Sequence, residues 1–548
     1  MLTNPPGWFF AVFVFGLGGL ACDKIGTTPP VEGQKNNYLA FHISERDGDT
    51  QKGIALKAFL ADGTGEPVTA AESPNGSLSV MNNGFQAGVY DGSTFTVSDY
   101  HTTDVIFLNQ GKIFRLPVYQ VSELKPLQLS SESDAYKLCV PFLRRGNDYA
   151  QQNNSRIIYK LVDDKALLDT CKTASGRYYS IKYNDNETTS PQQLSNSITK
   201  VIDAVHAEDS GALIGWIVIE NSQLKYYDAD FVSGQTFNTS AGAIVVDKFA
   251  DLLTRTAEKR FVFNIDNNIY IFSIGAGVSL LNGAASFSKP GEGVVNAYSS
   301  DGTSMFFTFT HARVGENTAS LSELHRLDMA IGATTKMHEE DAGIQQLTNT
   351  DNQVIFSANI RNGEKIQPRI KKISKEGGLV SDIGLPDLSA GAAAIYAKQS
   401  YFYINVYVDD HFDLLRVNEN DVSGETFSRH RIVGATYSST LKPAKFYLDP
   451  NYYILLQSDD ATNQKNIHSI DVTTGVMQLV GAVASDAFLD PDIAFISAFG
   501  RTQSLVGLYH NAFFDLYYFD AAVPNSLKRM TETAGEAEHA LYYKPGYQ

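Results

Sequence analysis

From Tyr38 onward the chain repeats one arrangement of apolar and polar positions: a short β-branched or aromatic run, a polar turn, and a second run that often ends in Asp. One copy reads Val105-Ile106-Phe107-Leu108, a turn at Asn109-Gln110-Gly111-Lys112, then Ile113-Phe114-Arg115-Leu116. Further copies pair Gly215–Ile219 with Leu224–Asp228, Phe261–Ile265 with Ile269–Phe272, Met305–Phe309 with Leu324–Asp328, and Val354–Ser357 with Arg369–Ile373. Three more pair Tyr401–Ile404 with Asp413–Val417, Tyr452–Leu456 with Ile467–Asp471, and Ser504–Leu508 with Leu516–Asp520. Between equivalent residues of the second runs (Arg115, Tyr226, Ile271, Arg326, Lys371, Arg416, Ser469, Tyr518) most steps are about 45 to 55 residues. The wide first step leaves room for another copy, and Ile157–Leu161 stands there. Helix is expected to be scarce, with the clearest candidates, both short, at Ser195–Ala207 and Asp247–Thr256.

After several copies a third element follows, as in Asp471-Val472-Thr473-Thr474-Gly475-Val476-Met477-Gln478-Leu479, a turn and then an outer strand. This resembles the TolB-like and WD40-like propeller repeats of bacterial envelope proteins, and Ser299-Ser300-Asp301-Gly302-Thr303 is similar to the turn those repeats carry before a strand. The resemblance covers about residues 100 to 530 and implies an all-β fold. The expectation is a seven- or eight-bladed β-propeller of four-stranded antiparallel blades, because a lone blade leaves both faces exposed and a ring of them buries both. Residues 101–548 would form the propeller and 38–100 its first blade or a small β-domain, with Ala540–Lys544 closing the ring against N-terminal strands.

The segment before Tyr38 has a different pattern. Trp8–Ala21 is an apolar run of signal-peptide length, too short to span a bilayer comfortably. It ends in Gly19-Leu20-Ala21-Cys22, which resembles the lipobox of bacterial lipoproteins; Gly19 and Leu20 depart from the usual residues, and Met1–Gly7 has no Lys or Arg. Residues 1–21 are therefore expected to be a signal peptide, Cys22 the lipidated N-terminus, and 22–37 a polar tether rich in Pro and Gly. That reading places the protein in the bacterial cell envelope, periplasmic or at the outer-membrane surface, with a membrane contact through the lipid. Of three cysteines, Cys139 and Cys171 then remain as a pair. A disulfide between them would close a loop of about 32 residues and stabilise by roughly 3 kcal/mol in an oxidising compartment; the alternative is two buried thiols.

Charge and composition narrow the function. A net charge of -17 without a basic block repels nucleic acid, and 43% hydrophobic with 11% aromatic residues is a globular, strand-leaning composition. Gly-x-Ser-x-Gly, His-Glu-x-x-His and a Walker loop are all absent, and Gly275-Ala276-Gly277 is only a fragment of a dinucleotide fingerprint. The 11 histidines are scattered singly. Asp409-Asp410-His411 with Asp413, Asp228 with Asp230, and Asp490 with Asp492 are at most weak calcium ligands and more simply polar turns, so no cofactor is expected. Tyr401, Tyr403, Tyr407, Tyr452 and Tyr453 alternate within strands and read as packing residues. These observations favour a protein that is not an enzyme and that offers its propeller to an envelope or cell-surface protein partner. The alternatives are a propeller binding carbohydrate or peptide at its funnel mouth, with or without catalysis, and a surface adhesin.

Overall fold

In the computed structural model the described residues form strands and turns and no helix. They lie between Tyr38 and Tyr542 and comprise the strands named below with most of their short turns; residues 1–37, 81–103, 131–137, 147–154, 163–175, 313–319, 385–393, 432–445 and 531–538 are the longest stretches outside them.

Ten sheets of four or five strands follow one another among these residues. Sheet 1 holds Tyr38–Asp47, Thr50–Leu60 and Val68–Ser73; sheet 2 holds Ser79–Val80, Asp104–Asn109, Lys112–Pro117 and Leu127–Gln128. Sheet 3 runs through Leu138–Gly146, Ser155–Val162, Gly176–Tyr183 and Gln192–Gln193, and sheet 4 through Ile198–His206, Leu213–Glu220, Gln223–Asp228 and Gly234–Thr236. Sheet 5 is Ala250–Arg255, Arg260–Ile265, Asn268–Ile274 and Leu280–Phe287; sheet 6 is Gly293–Ser300, Ser304–Ala312, Ser320–Asp328 and Ala333–Glu340. Sheet 7 spans Ile344–Asn349, Gln353–Asn362, Lys365–Ser374 and Ser381–Asp382, and sheet 8 spans Ala394–Lys398, Tyr401–Val408, His411–Asn418 and Glu425–Arg431. Sheet 9 comprises Phe446–Tyr447, Tyr452–Asp459, Gln464–Asp471 and Met477–Ala484; sheet 10 comprises Phe488–Leu489, Ile496–Ser497, Gln503–His510, Phe513–Asp520 and Lys528–Arg529.

Sheets 2 to 9 are antiparallel meanders in chain order, and the first strands of neighbouring sheets touch: that of sheet 4 meets those of sheets 3 and 5, and that of sheet 7 meets those of sheets 6 and 8. The C-terminal strand His539–Tyr542 returns to pair with Tyr38–Asp47, Tyr542 opposite His42 and His539 opposite Glu45, so both ends of the chain build sheet 1. The chain is an all-β propeller, with inner strands towards the axis and sheet faces packed on one another. Seven or eight blades were expected, and ten sheets of four or five strands lie among the described residues. The repeat at Ile157–Leu161 lies on the second strand of a full sheet, the segment from Tyr38 starts another, and the run 79–128 supplies its own.

Second strands are buried on both faces because a sheet lies on either side. Leu213–Glu220, Arg260–Ile265 and Ser304–Phe309 are almost continuously inaccessible, which is why they appear as unbroken apolar runs. Turns follow a rule as well. Asn221-Ser222 and Asp266-Asn267 take positive φ at both central positions, the geometry that joins two-residue hairpins with the correct twist. Third strands end in a residue whose side chain accepts a backbone N–H two or three positions on: Asp228 from Asp230, Asp328 from Ala330, Ser374 from Glu376, Asn418 from Asn420, Asp471 from Thr474 and Asp520 from Ala522. The recurrent Asp of the repeat is thus a turn former. Asp301 does the same before a second strand, accepting N–H groups of Thr303 and Ser304 and the Thr303 hydroxyl.

The two expected helices are inner strands. Ile198–His206 carries register shifts after Ile198, Val201 and Val205, and Ala250–Arg255 one after Leu252. The shifts after Ile198, Val201 and Leu252 each insert a residue in these strands, and buried positions fall at Ile198, Val201, Ala204 and Val205, and at Ala250, Leu253 and Thr254. Steps of three and four imitate a helical period. Facing hydroxyls answer similar bulges: Thr308 Oγ1 accepts the Ala297 N–H at 3.1 Å, and Ser357 Oγ the Gln346 N–H at 3.1 Å.

Candidate functional site

The sheets have two unlike ends. At one lie the turns between first and second and between third and outer strands, and here each sheet grips the turn of the next. Arg156 and Lys182 of sheet 3 reach Asp230 in the turn of sheet 4. Arg260 of sheet 5 donates to the Met329 carbonyl of sheet 6 at 2.5 Å, and Arg326 of sheet 6 to the Lys375 carbonyl at 3.1 Å and the Glu376 carboxylate at 2.6 Å in sheet 7. Lys372 of sheet 7 donates to the carbonyls of Glu419 (2.5 Å) and Asp421 (2.6 Å) in sheet 8, and Ser469 of sheet 9 to that of Ala521 in sheet 10 at 2.6 Å. Arg326, Lys372 and Ser469 stand two residues before the turn former in their strands, which puts Lys372 rather than Lys371 in the column of equivalent residues.

Glu419, 2% exposed, anchors this end. Its carboxylate accepts from Thr350 Oγ1, the Asn352 N–H and Asn352 Nδ2 at 2.6–3.0 Å. Burial pushes its pKa up, but those hydrogen bonds outweigh it and hold the group below the usual carboxylate value. An end whose charges are spent on its own neighbours is a seam.

The other end carries second-to-third turns and the links between sheets. A cavity of about 350 Å³ opens there between sheets 5 and 6, lined by Asp247, Lys248, Asp266, Asn267, Lys289, Glu292, Gly293 and Val294. The Asp266-Asn267 turn builds it. The Asp266 carboxylate accepts the N–H groups of Asp247, Lys248 and Phe249 at 2.8–3.0 Å, fixing one wall; Asn267 Oδ1 takes the Val295 N–H and Asn268 Oδ1 the Lys289 N–H, fixing the other. Burial raises the Asp266 pKa, yet the three N–H groups and the Lys289 charge bring it below its ordinary value. Glycine is required at 293, where a Cβ would come within 2.5 Å of the Phe309 ring and 2.7 Å of the Thr310 carbonyl oxygen. On sheet 4 at the same end, Glu220 accepts from Lys225, Tyr227 and Ser197 at 2.7–2.8 Å. Burial opposes its ionisation, and these bonds still lower it to about 2.

The third and outer strands of sheet 6 carry chemistry that single histidines concealed. His325, 6% exposed, stacks on Phe307 (5.2 Å), touches Phe287 (4.9 Å) and shares its Nε2 with Glu323 at 3.0 Å, while Lys336 holds the other Glu323 oxygen. Burial lowers the His325 pKa, against the pull of Glu323. His338 and Glu340 form a second pair at 3.2 Å, with Lys371 on the same carboxylate. Both pairs sit two residues apart on a strand, hence on one face. That spacing was the available signal.

Of the residues singled out in the sequence, Cys22 and Cys171 lie outside the described residues, and so do Asp409, Asp410, Asp490 and Asp492. Cys139 is on the first strand of sheet 3, opposite Lys160, and His411 and Asp413 are on the third strand of sheet 8. Asp228 accepts the N–H groups of Asp230, Val232 and Ser233 on its two oxygens, and Asp230 pairs through Oδ1 with Arg156. Among the described residues no three His, Cys, Asp or Glu side chains gather as metal ligands. Tyr403 is fully buried, and Arg416 lies 3.9 Å over the Tyr401 ring.

No family model matches the sequence, and no curated protein does. Solved structures do. An oligogalacturonate lyase in complex with manganese is 11% identical, covering 81% of this chain and 99% of its own, with a TM-score of 0.31. Porphyromonas gingivalis dipeptidyl peptidase 4 is 10% identical over 71% of this chain and 58% of its own, TM-score 0.39. A putative TolB from Agrobacterium tumefaciens is 13% identical over 44% of this chain and 83% of its own, TM-score 0.22. The likeness is one of propeller architecture. Enzymes stand among these structures, which corrects the expectation that the chain is not an enzyme. That expectation rested on missing linear motifs, and a ring of sheets assembles its sites from links far apart in sequence.

Proposed function

We propose that the chain is an exported propeller of the bacterial cell envelope, tethered by a lipid on Cys22, that works as a binding platform and takes its partner at the end carrying the cavity. The contrast between the two ends supports this reading: Arg326, Lys372, Glu419 and Asp301 are spent between sheets at one, whereas Lys248, Lys289, Asp247 and Glu292 face a shaped opening at the other. The N-terminal apolar run and the Cys22 boundary supply the address, and a Cys139–Cys171 disulfide belongs to the same proposal as a feature of an oxidising compartment. Binding is the claim; turnover of what is bound belongs to the same cavity.

A photo-reactive side chain placed at Val294, in the cavity rim, is compared in living cells with one at Leu379, 94% exposed on the turn of sheet 7 at the seam. Cross-linking of one discrete envelope component from Val294 and none from Leu379 is the expected result, together with a diacyl or triacyl mass on Cys22. Cross-linking from Leu379 alone would place binding at the seam and overturn the proposal.

A further inference from the structure

The cavity also specifies the kind of ligand it takes, and this step rests on the platform reading above. Its two walls come from different links, Asp247-Lys248 before sheet 5 and Lys289 to Glu292 before sheet 6, so each wall presents one cation and one anion. The Asp266 carboxylate at the turn accepts two backbone N–H groups on Oδ1 and one on Oδ2, so most of its charge is answered within the protein. Among the described residues no carboxylate comes within ion-pair distance of the Lys248 or Lys289 ammonium, the Lys289 charge acting on Asp266 from farther off. What remains is two positive and two negative groups around about 350 Å³, with Val294, 47% exposed, as an apolar patch on the rim.

A polyanion meets three carboxylates here against two lysines, in a chain of net charge -17. Repulsion disfavours it. A polycation leaves the lysines opposed, and an uncharged ligand leaves four charged groups without complements. Only a ligand carrying both signs answers both walls. The volume is at the small end of the roughly 300–1,000 Å³ typical of ligand pockets, so it admits a short segment rather than a folded surface. We propose that the cavity binds a short zwitterionic peptide, its carboxylate held by Lys248 and Lys289, its ammonium by Asp247 and Glu292, and an apolar side chain against Val294.

The test is calorimetric titration of the full chain with trialanine, with N-acetyl-trialanine amide and with trigalacturonate, repeated on Lys289→Met and Glu292→Gln. Both substitutions are at the rim, so thermal unfolding should be unchanged and a lost signal reports binding. Trialanine is expected to bind at least tenfold more tightly than its blocked form, trigalacturonate to give no heat, and each substitution to weaken trialanine about tenfold. Equal binding of the blocked peptide, a preference for trigalacturonate, or no heat from trialanine would each overturn the assignment. If Val294 still cross-links a component in those circumstances, the platform reading stands and only the ligand class has failed.

Discussion

The contacts between sheets 4 and 5 and between sheets 7 and 8 fill the same place in the repeat with different chemistry. Between sheets 4 and 5, Phe237 leaves the strands to stand edge-on to Phe263 and Phe272, centroids 5.6 and 4.6 Å away, within a cluster that includes Ile217, Ile219 and Leu224. The hairpin of Asn238–Thr239 and Gly242–Ala243 follows it, tied by Phe237 N–H to the Leu224 carbonyl and Val246 N–H to the Ser222 carbonyl. Between sheets 7 and 8 the filling is mostly aliphatic, Ile355, Ile370, Ile395 and Leu415 around the single ring of Phe402, and Glu419 with Lys372 adds a buried polar net. Apolar contact gives the larger stabilisation and no sensitivity to pH. The polar net stabilises less but fixes where each turn lies, since a displaced donor leaves a buried carboxylate unpaired.

The comparison breaks most visibly at Phe272. Phe272→Ala should cost about 3–5 kcal/mol, because the cavity it leaves is walled by Phe237 and Phe263 on different segments that cannot collapse together. Denaturant unfolding reads this, with Phe402→Leu, a near-conservative change in the aliphatic filling, expected below about 1.5 kcal/mol. Next is Glu419→Gln at about 1–3 kcal/mol, since the amide cannot accept from all three donors. Its effect should vanish in acid. Glu419 has a folded pKa below its unfolded value, so its contribution is present above the unfolded value of about 4.5 and is lost as pH falls through the folded one. Wild type and variant should converge as pH falls below the folded value; a constant gap would mean the carboxylate is not ionised in the fold.

A milder acid effect belongs to the contact between sheets 5 and 6. His325 has a depressed folded pKa, so it stabilises fully above its unfolded value of 6.5 and the contribution is lost as pH falls towards the folded value. Hydrogen exchange at pH 7 and 5.5 should therefore show Ser304–Ala312 and Ser320–Asp328 loosening while Leu213–Glu220 and Arg260–Ile265 stay protected. Unchanged protection in sheet 6 would mean that Glu323 holds the imidazolium as well as the imidazole.

The second and third strands were legible because burial on both faces writes itself as a continuous apolar run, and the turn-forming Asp marks where they end. Inner strands were not: bulges at Val201 and Leu252 convert a period of two into steps of three and four, which is the signature of the other regular structure. The number of sheets was present in the repeats, once Ile157–Leu161 and the segment from Tyr38 are each allowed a full sheet. The cavity had no signature. Asp247-Lys248, Asp266-Asn267 and Lys289 to Glu292 are three links whose meeting depends on how sheets 5 and 6 pack, and no local pattern encodes that. His325 and Glu323 were readable only by their spacing of two on a strand.

The smallest expected effect is at Ser469, where the seam between sheets 9 and 10 tests whether its polar contacts are redundant. Ser469 Oγ donates to the Ala521 carbonyl at 2.6 Å, and Gln478 Nε2 donates to the same oxygen. Ser469→Ala removes one donor and leaves the carbonyl satisfied, so the loss should be about 0.5–1 kcal/mol, an ordinary hydrogen bond. Gln478→Ala should behave alike, since Ser469 then answers for it. The double substitution leaves a buried acceptor with no donor from either side chain and should exceed the sum of the singles by about 1 kcal/mol. Strict additivity would show that water reaches Ala521 once the serine is gone, and that this seam, unlike the one at Glu419, is held by its backbone and apolar packing alone.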